Sequence, residues 1–158
     1  MKKKTILIII CFMLIIIAVG TACTNNDEPE PKSGTLYVNG KEITGEHVKI
    51  YSNYAELPFV EVMKALGHPV EWIDDSTAII TCNGIGYTLD LSDETRPTFG
   101  YNEFLVAPGS TTYTCKVLDR ELILDGVTLK TVLRRFYDQI IVKFDRVQSK
   151  VYVNVTLD

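Results

Sequence analysis

The chain opens on an unbroken apolar run, Ile6 to Val19, behind three lysines, Lys2 to Lys4. It passes through a polar stretch, "TNNDEPEPKSG", and from Thr35 on it alternates between strand-like and helix-like hydrophobic patterns. Leu36-Tyr37-Val38 and Lys41-Glu42-Ile43 flank Asn39-Gly40, a two-residue hairpin signal, because a type I′ turn needs positive φ at both central positions. "HVKIYS", His47 to Ser52, alternates as a further strand. Phe59, Val62, Met63 and Leu66 share one helix face, with Pro58 read as the first helical residue, and Gly67 and Pro69 as the stop. Val70-Glu71-Trp72, a turn at Asp74-Asp75-Ser76, "AIITC", a turn at Asn83-Gly84 and "GYTLDL", Gly86 to Leu91, predict three more strands.

A weaker echo follows. "VLDREL", Val117 to Leu122, mirrors "VNGKEI", Val38 to Ile43, and Leu129, Val132, Leu133 and Phe136 repeat the helix face 70 positions on. Val142-Lys143-Phe144 repeats Val70-Glu71-Trp72, and Val151-Tyr152-Val153 repeats Ile79-Ile80-Thr81, both at a shift of 72. The hairpin-to-helix gap is 9 residues shorter in the second copy, which leaves no room for a counterpart of "HVKIYS". The expected fold is therefore α+β: an antiparallel sheet packed around a helix, present twice with a degenerate second copy, all connections antiparallel. The expected segments are a signal (1–22), a flexible tether (23–34), a first unit (35–91), a connection (92–110) and a second unit (111–158). Phe99, Tyr101 and Phe104 of the connection are expected to cover a core edge.

The N-terminus bears on location. A positive n-region and an apolar run too short for a permanent span predict an export signal. Gly20-Thr21-Ala22-Cys23 follows the lipoprotein pattern, which makes Cys23 the expected lipid-attachment residue. Ordinary signal-peptidase cleavage and an uncleaved anchor are the other readings, and all three place the folded part outside the cytoplasm. Without the three leading lysines the formal net charge of −4 becomes −7. That balance argues against nucleic acid and against adhesion to anionic lipid. With Cys11 lost and Cys23 acylated, Cys82 and Cys115 remain, and the sequence leaves open whether they form a disulfide or stay as two buried thiols.

Candidate chemistry is sparse. Asp74-Asp75 reads as a turn cap more readily than as an acid–base pair. Asp90, Asp93 and Glu94 lack the spacing of a calcium loop. Arg134-Arg135 reads as a solvated edge. Tyr37, Tyr51, Tyr54, Tyr87, Tyr101 and Tyr113 read as half-buried strand residues or, if exposed on a sheet, as rings that stack on sugars. His47 and His68 lie in different elements without ligand spacing, so no metal and no cofactor are expected.

"YVNGKEI", a helix introduced by proline and ending in "ALG", and "VEW" before an Asp/Ser/Thr turn together resemble the copper amine oxidase N-terminal domain-like family, the stalk domains. The resemblance covers Leu36 to Cys82 and, more weakly, Thr112 to Val155, with Val60 standing where the family's helix-start motif carries arginine. It implies a five-stranded antiparallel sheet around one helix, often used twice in exported proteins of Gram-positive bacteria, and a projecting module apart from the oxidases' copper-bearing catalytic domain. The expected function is thus a non-catalytic, lipid-anchored module on the outer face of the cytoplasmic membrane, binding or positioning cell-wall polymer or another exported protein. The alternative is an exported hydrolase or small-ligand-binding lipoprotein with a site near the 92–110 connection. A hollow joining that connection to Asp74 or Arg134 would favour the alternative, and a flat, tyrosine-rich sheet face the module.

Overall fold

A computed structural model describes residues 30–43, 47–100 and 115–157. The expected signal and most of the tether, with Cys23, lie outside the described residues, as do Tyr101, Phe104 and Tyr113. The chain divides into Met1–Glu30 and a compact unit, Pro31–Asp158, and every described strand finds its partners within the second.

The fold is mixed α+β and mostly antiparallel. Its strands are β1 (Lys32–Ser33), β2 (Thr35–Val38), β3 (Lys41–Ile43), β4 (Lys49–Ile50), β5 (Ala55–Pro58), β6 (Val70–Trp72), β7 (Thr77–Cys82), β8 (Ile85–Asp90), β9 (Thr98–Phe99), β10 (Cys115–Leu118), β11 (Glu121–Asp125), β12 (Gln139–Asp145) and β13 (Lys150–Thr156). Helix α1 (Phe59–Ala65) follows β5, and helix α2 (Gly126–Leu133) follows β11. Three sheets result, in the orders β1-β4-β5-β11-β10, β12-β13-β2-β3 and β6-β7-β8-β9.

Local chemistry sets the hairpins. Asn39-Gly40, Asn83-Gly84 and Asp119-Arg120 all take positive φ at both central positions, the mirror-image turn whose twist matches paired strands. Gly67, at φ +89, ends α1: its N–H donates to Lys64 O and the His68 N–H to Met63 O, which together close the last turn. Asp74 Oδ1 accepts from Ser76 N, Ser76 Oγ and Thr77 N at 2.7–3.0 Å, so this acid is a turn cap.

Several expectations are corrected. Pro58 is the last residue of β5 and the N-cap of α1, with ψ at 109°, because Ala55–Pro58 is held extended against β11. The fold begins before Thr35: Lys32 and Ser33 pair with Ile50 and Lys49. Gly34 permits this closeness, since a Cβ there would stand 2.7 Å from the buried Ile50 Cδ1. Of "HVKIYS" only Lys49 and Ile50 are strand. Not every connection is antiparallel, because β2 runs parallel to β13, with Tyr37 opposite Tyr152. The hairpin ending in Leu122 does not take the place of β2–β3, since β11 continues straight into α2 as β5 continues into α1. In element order, β10–β11 leads into α2 as β4–β5 leads into α1. The last strand also differs by one from the expected shift: Val70 pairs with Ile80 and Val142 with Val153, so the hairpin partners stand 73 apart where the preceding strands stand 72 apart. Burial requires it, because Ile80 and Val153 are buried whereas Tyr152 is only half-buried.

The segments 35–91 and 111–158 share sheets. Leu57 pairs with Leu124 in the middle of one, and Val151 with Leu36 in another. α1 packs on β11, and α2 packs on β12, β11 and β5. β5 and β11 are buried along their whole lengths, as strands covered on both faces are. Phe59, Val62 and Met63 are fully buried as expected, while Leu66 is only partly so. Phe99 of the connection is fully buried, its ring 5.0 Å from Phe59, 5.8 Å from Tyr87 and 6.1 Å from Phe136.

Candidate functional site

The β12-β13-β2-β3 sheet buries one face and leaves the other to solvent. Strand alternation turns Leu36, Val38, Val151, Val153 and Val155 inward. Their neighbours face out, and the pairing aligns Lys143, Tyr152, Tyr37 and Glu42 in one row across four strands. The Tyr37 and Tyr152 rings stack at 5.3 Å with an interplanar angle of 19°. Lys150 Nζ stands 5.7 Å over the Tyr37 ring, and the Tyr37 hydroxyl donates to Glu42 Oε2 at 2.9 Å. That bond, with a carboxylate as acceptor, raises the Tyr37 pKa, so the phenol stays protonated. Exposed Ile141 and Asn154 continue the same face. The result is a solvent-facing tyrosine platform in which the two rings stack on each other, with cations and a carboxylate around them.

A hollow of about 640 Å³ joins the start of the connection, at Ser92 and Glu94, to Asp75 and Ser76, and the β10–β11 turn closes it. Part of its lining serves local structure. Arg120 stacks 4.6 Å over Trp72 and donates to Asp74 O at 2.8 Å. Those contacts help hold Arg120 at φ +64, which costs a non-glycine residue about 1–2 kcal/mol. Asp90 accepts from Ser92 N, and Asp93 accepts from Thr95 N and Oγ1, so both acids cap turns.

His68 closes a clasp between the end of α1 and the segment after α2. Its Nδ1 lies 3.2 Å from Thr81 O, a carbonyl that only accepts, so Nδ1 carries the proton. Nε2 then accepts from the Tyr137 hydroxyl at 2.7 Å. Burial lowers the His68 pKa and favours this neutral form. Among the described residues no group of three or more His, Cys, Asp or Glu is gathered as metal ligands would be, and no helix is long and apolar enough to cross a membrane.

Cys82 and Cys115 are free thiols, the first buried in β7 and the second half-buried in β10. Burial pushes each up to about 11, and at Cys115 the charge of Asp125 adds to it. Both are expected to resist iodoacetamide at pH 8 in the folded chain and to react once denaturant is added, as peptide mapping would read. Rapid labelling of Cys82 in the folded chain would contradict the burial.

Two structural residues escaped the sequence pattern. Asp125 caps α2, accepting from Val127 N, Thr128 N and Thr128 Oγ1. α1 begins at a proline that offers no capping side chain, and Glu121 reaches over from β11 instead, its Oε1 accepting from Val60 N at 2.6 Å. Asp125 could have been found as an Asp three residues before a Thr at a helix start. Glu121 could not, because it lies 61 residues from its partner.

No family model, no curated protein and no solved structure matches this chain. The stalk-domain resemblance rests on the residues that carry it.

Proposed function

We propose that this chain is an exported, lipid-anchored, non-catalytic module of two copies of a strand–helix–hairpin unit, and that it holds cell-wall glycan on the solvent face of its β12-β13-β2-β3 sheet. The observation that carries the binding is the stacked Tyr37–Tyr152 pair. A pyranose presents a face of C–H bonds that packs on such rings, and Lys143, Lys150 and Glu42 supply polar partners around it. The duplication is supported by the antiparallel pairing of β5 with β11, each the strand that leads into a helix. The module reading is favoured over a hydrolase because the arginine lining the hollow beside Ser92 is already stacked on Trp72 and paired with Asp75.

Glu30 to Asp158, exported without the anchor, is expected to be retained by purified cell walls. Tyr37→Ala and Tyr152→Ala are each expected to weaken retention about five-fold, from roughly 1 kcal/mol per lost ring. In the full chain, Cys23→Ser is expected to release the protein from the membrane fraction. Wall retention indifferent to both tyrosines, or turnover of a small ester or glycoside by the same fragment, would sink the reading.

A further inference from the structure

A second concave surface lies away from the tyrosine platform. Asn53 to Ala55, one side of α2 and the end of β12 enclose a groove of about 420 Å³, within the range of small-molecule sites. Ala55, Gly126, Val142 and Phe144 make its apolar lining. Gly126 brings α2 tight against β12, since a Cβ there would stand 3.0 Å from Val142 Cγ1, so the floor is closed at that point. Phe144 is 38% exposed and Val127, at the mouth, 60%. Lys130 and Arg134 stand one helical turn apart on the groove wall, and no carboxylate lines it among the described residues. Like charges at that spacing repel, and an anion between them would relieve the repulsion.

The other half of the fold gives a comparison. Trp72, in the strand after α1, has the Arg120 guanidinium over its ring. Phe144, in the strand after α2, has no cation over it among the described residues, and the groove opens beside it. A ligand with an anionic head at Lys130 and Arg134 and an apolar body over Phe144 would engage both the cationic wall and the open ring.

We propose that this groove binds one amphiphilic carboxylate, a monomeric acyl-chain acid, with its head between Lys130 and Arg134 and its chain across Phe144 and Val142. The concave shape encloses a single molecule rather than lying on a bilayer, and the net negative charge of the folded part opposes an anionic membrane. This does not rest on the glycan reading.

The test uses Glu30 to Asp158, which contains every described strand partner, titrated calorimetrically with dodecanoate below its micelle concentration. Saturable one-site binding is expected, with dodecyltrimethylammonium binding at least tenfold more weakly. Lys130→Glu/Arg134→Glu and the groove-filling Thr131→Trp are expected to weaken dodecanoate at least tenfold while keeping the native circular dichroism. Absent binding, equal binding of the cationic amphiphile, or full binding by the charge-reversed variant would overturn the proposal. So would retention on phosphatidylglycerol vesicles by a chain that ignores monomeric dodecanoate.

Discussion

Glu121→Gln is expected to make the folded chain more stable than the native one at pH 8, by about 1–3 kcal/mol, and no more stable at pH 4. Glu121 is 6% exposed, and burial pushes its carboxyl up to about 7; the Val60 N–H pulls the other way, and the charge of Glu61 adds to the rise. The group thus holds a proton more tightly folded than unfolded. Its favourable contribution is present in full below the unfolded value of 4.5 and is lost as pH rises through about 7. Glutamine keeps an acceptor for the Val60 N–H and carries no charge, so its stability should be flatter over that window. Glu121→Ala removes the acceptor too, leaves a buried N–H at the start of α1 unpaired, and should cost about 1–3 kcal/mol at pH 4. His68 works in the opposite sense. Its pKa is lowered, so its contribution is present above 6.5 and is lost as pH falls below that. Comparing native and Glu121→Gln chains by urea unfolding at each pH isolates the carboxyl. A glutamine variant less stable than the native chain at pH 8 would mean that the helix N-terminus holds an ionised carboxylate there, contrary to this account.

What could be read from the sequence is what neighbouring residues decide. Asn39-Gly40, Asn83-Gly84 and Gly67 each fix a local backbone shape, and each holds the conformation expected of it. What could not be read is what distant residues decide. "AELP" carries an N-terminal helix signal, yet its pairing with Ile123, Leu124 and Asp125 keeps it extended, and that partner lies more than 60 residues along the chain. The exchange of β2 into the sheet of β12 and β13 is likewise invisible to periodicity, which reports which face of a strand is buried and not which strand lies beside it. The platform shows the same division. Tyr37 is a strand tyrosine by pattern alone, and only the parallel register with β13 brings Tyr152 onto it. The one-residue slip in the last hairpin was hidden for a related reason: Val151-Tyr152-Val153 and Ile79-Ile80-Thr81 are all good strand formers, so composition does not separate a shift of 72 from one of 73.

Phe99→Ala is expected to cost about 3–5 kcal/mol and still leave one unfolding transition. The ring is fully buried and edge-on to both Phe59, which opens α1, and Phe136, which follows α2. Truncation removes contacts on both sides and leaves a cavity that neither helix can fill, since each is tied to the paired strands β5 and β11. Were the segments 35–91 and 111–158 separate bodies, loss of a bridging ring would let them melt apart at different denaturant concentrations. Shared sheets forbid that: unfolding 111–158 strips β2 of β13 and β5 of β11, and so exposes the core face of 35–91 as well. The midpoint should therefore fall with little change in the denaturant slope, and Trp72 fluorescence and far-ultraviolet circular dichroism should report coincident transitions. Two transitions in the native chain, with Trp72 following only one of them, would show that each half supplies its own core.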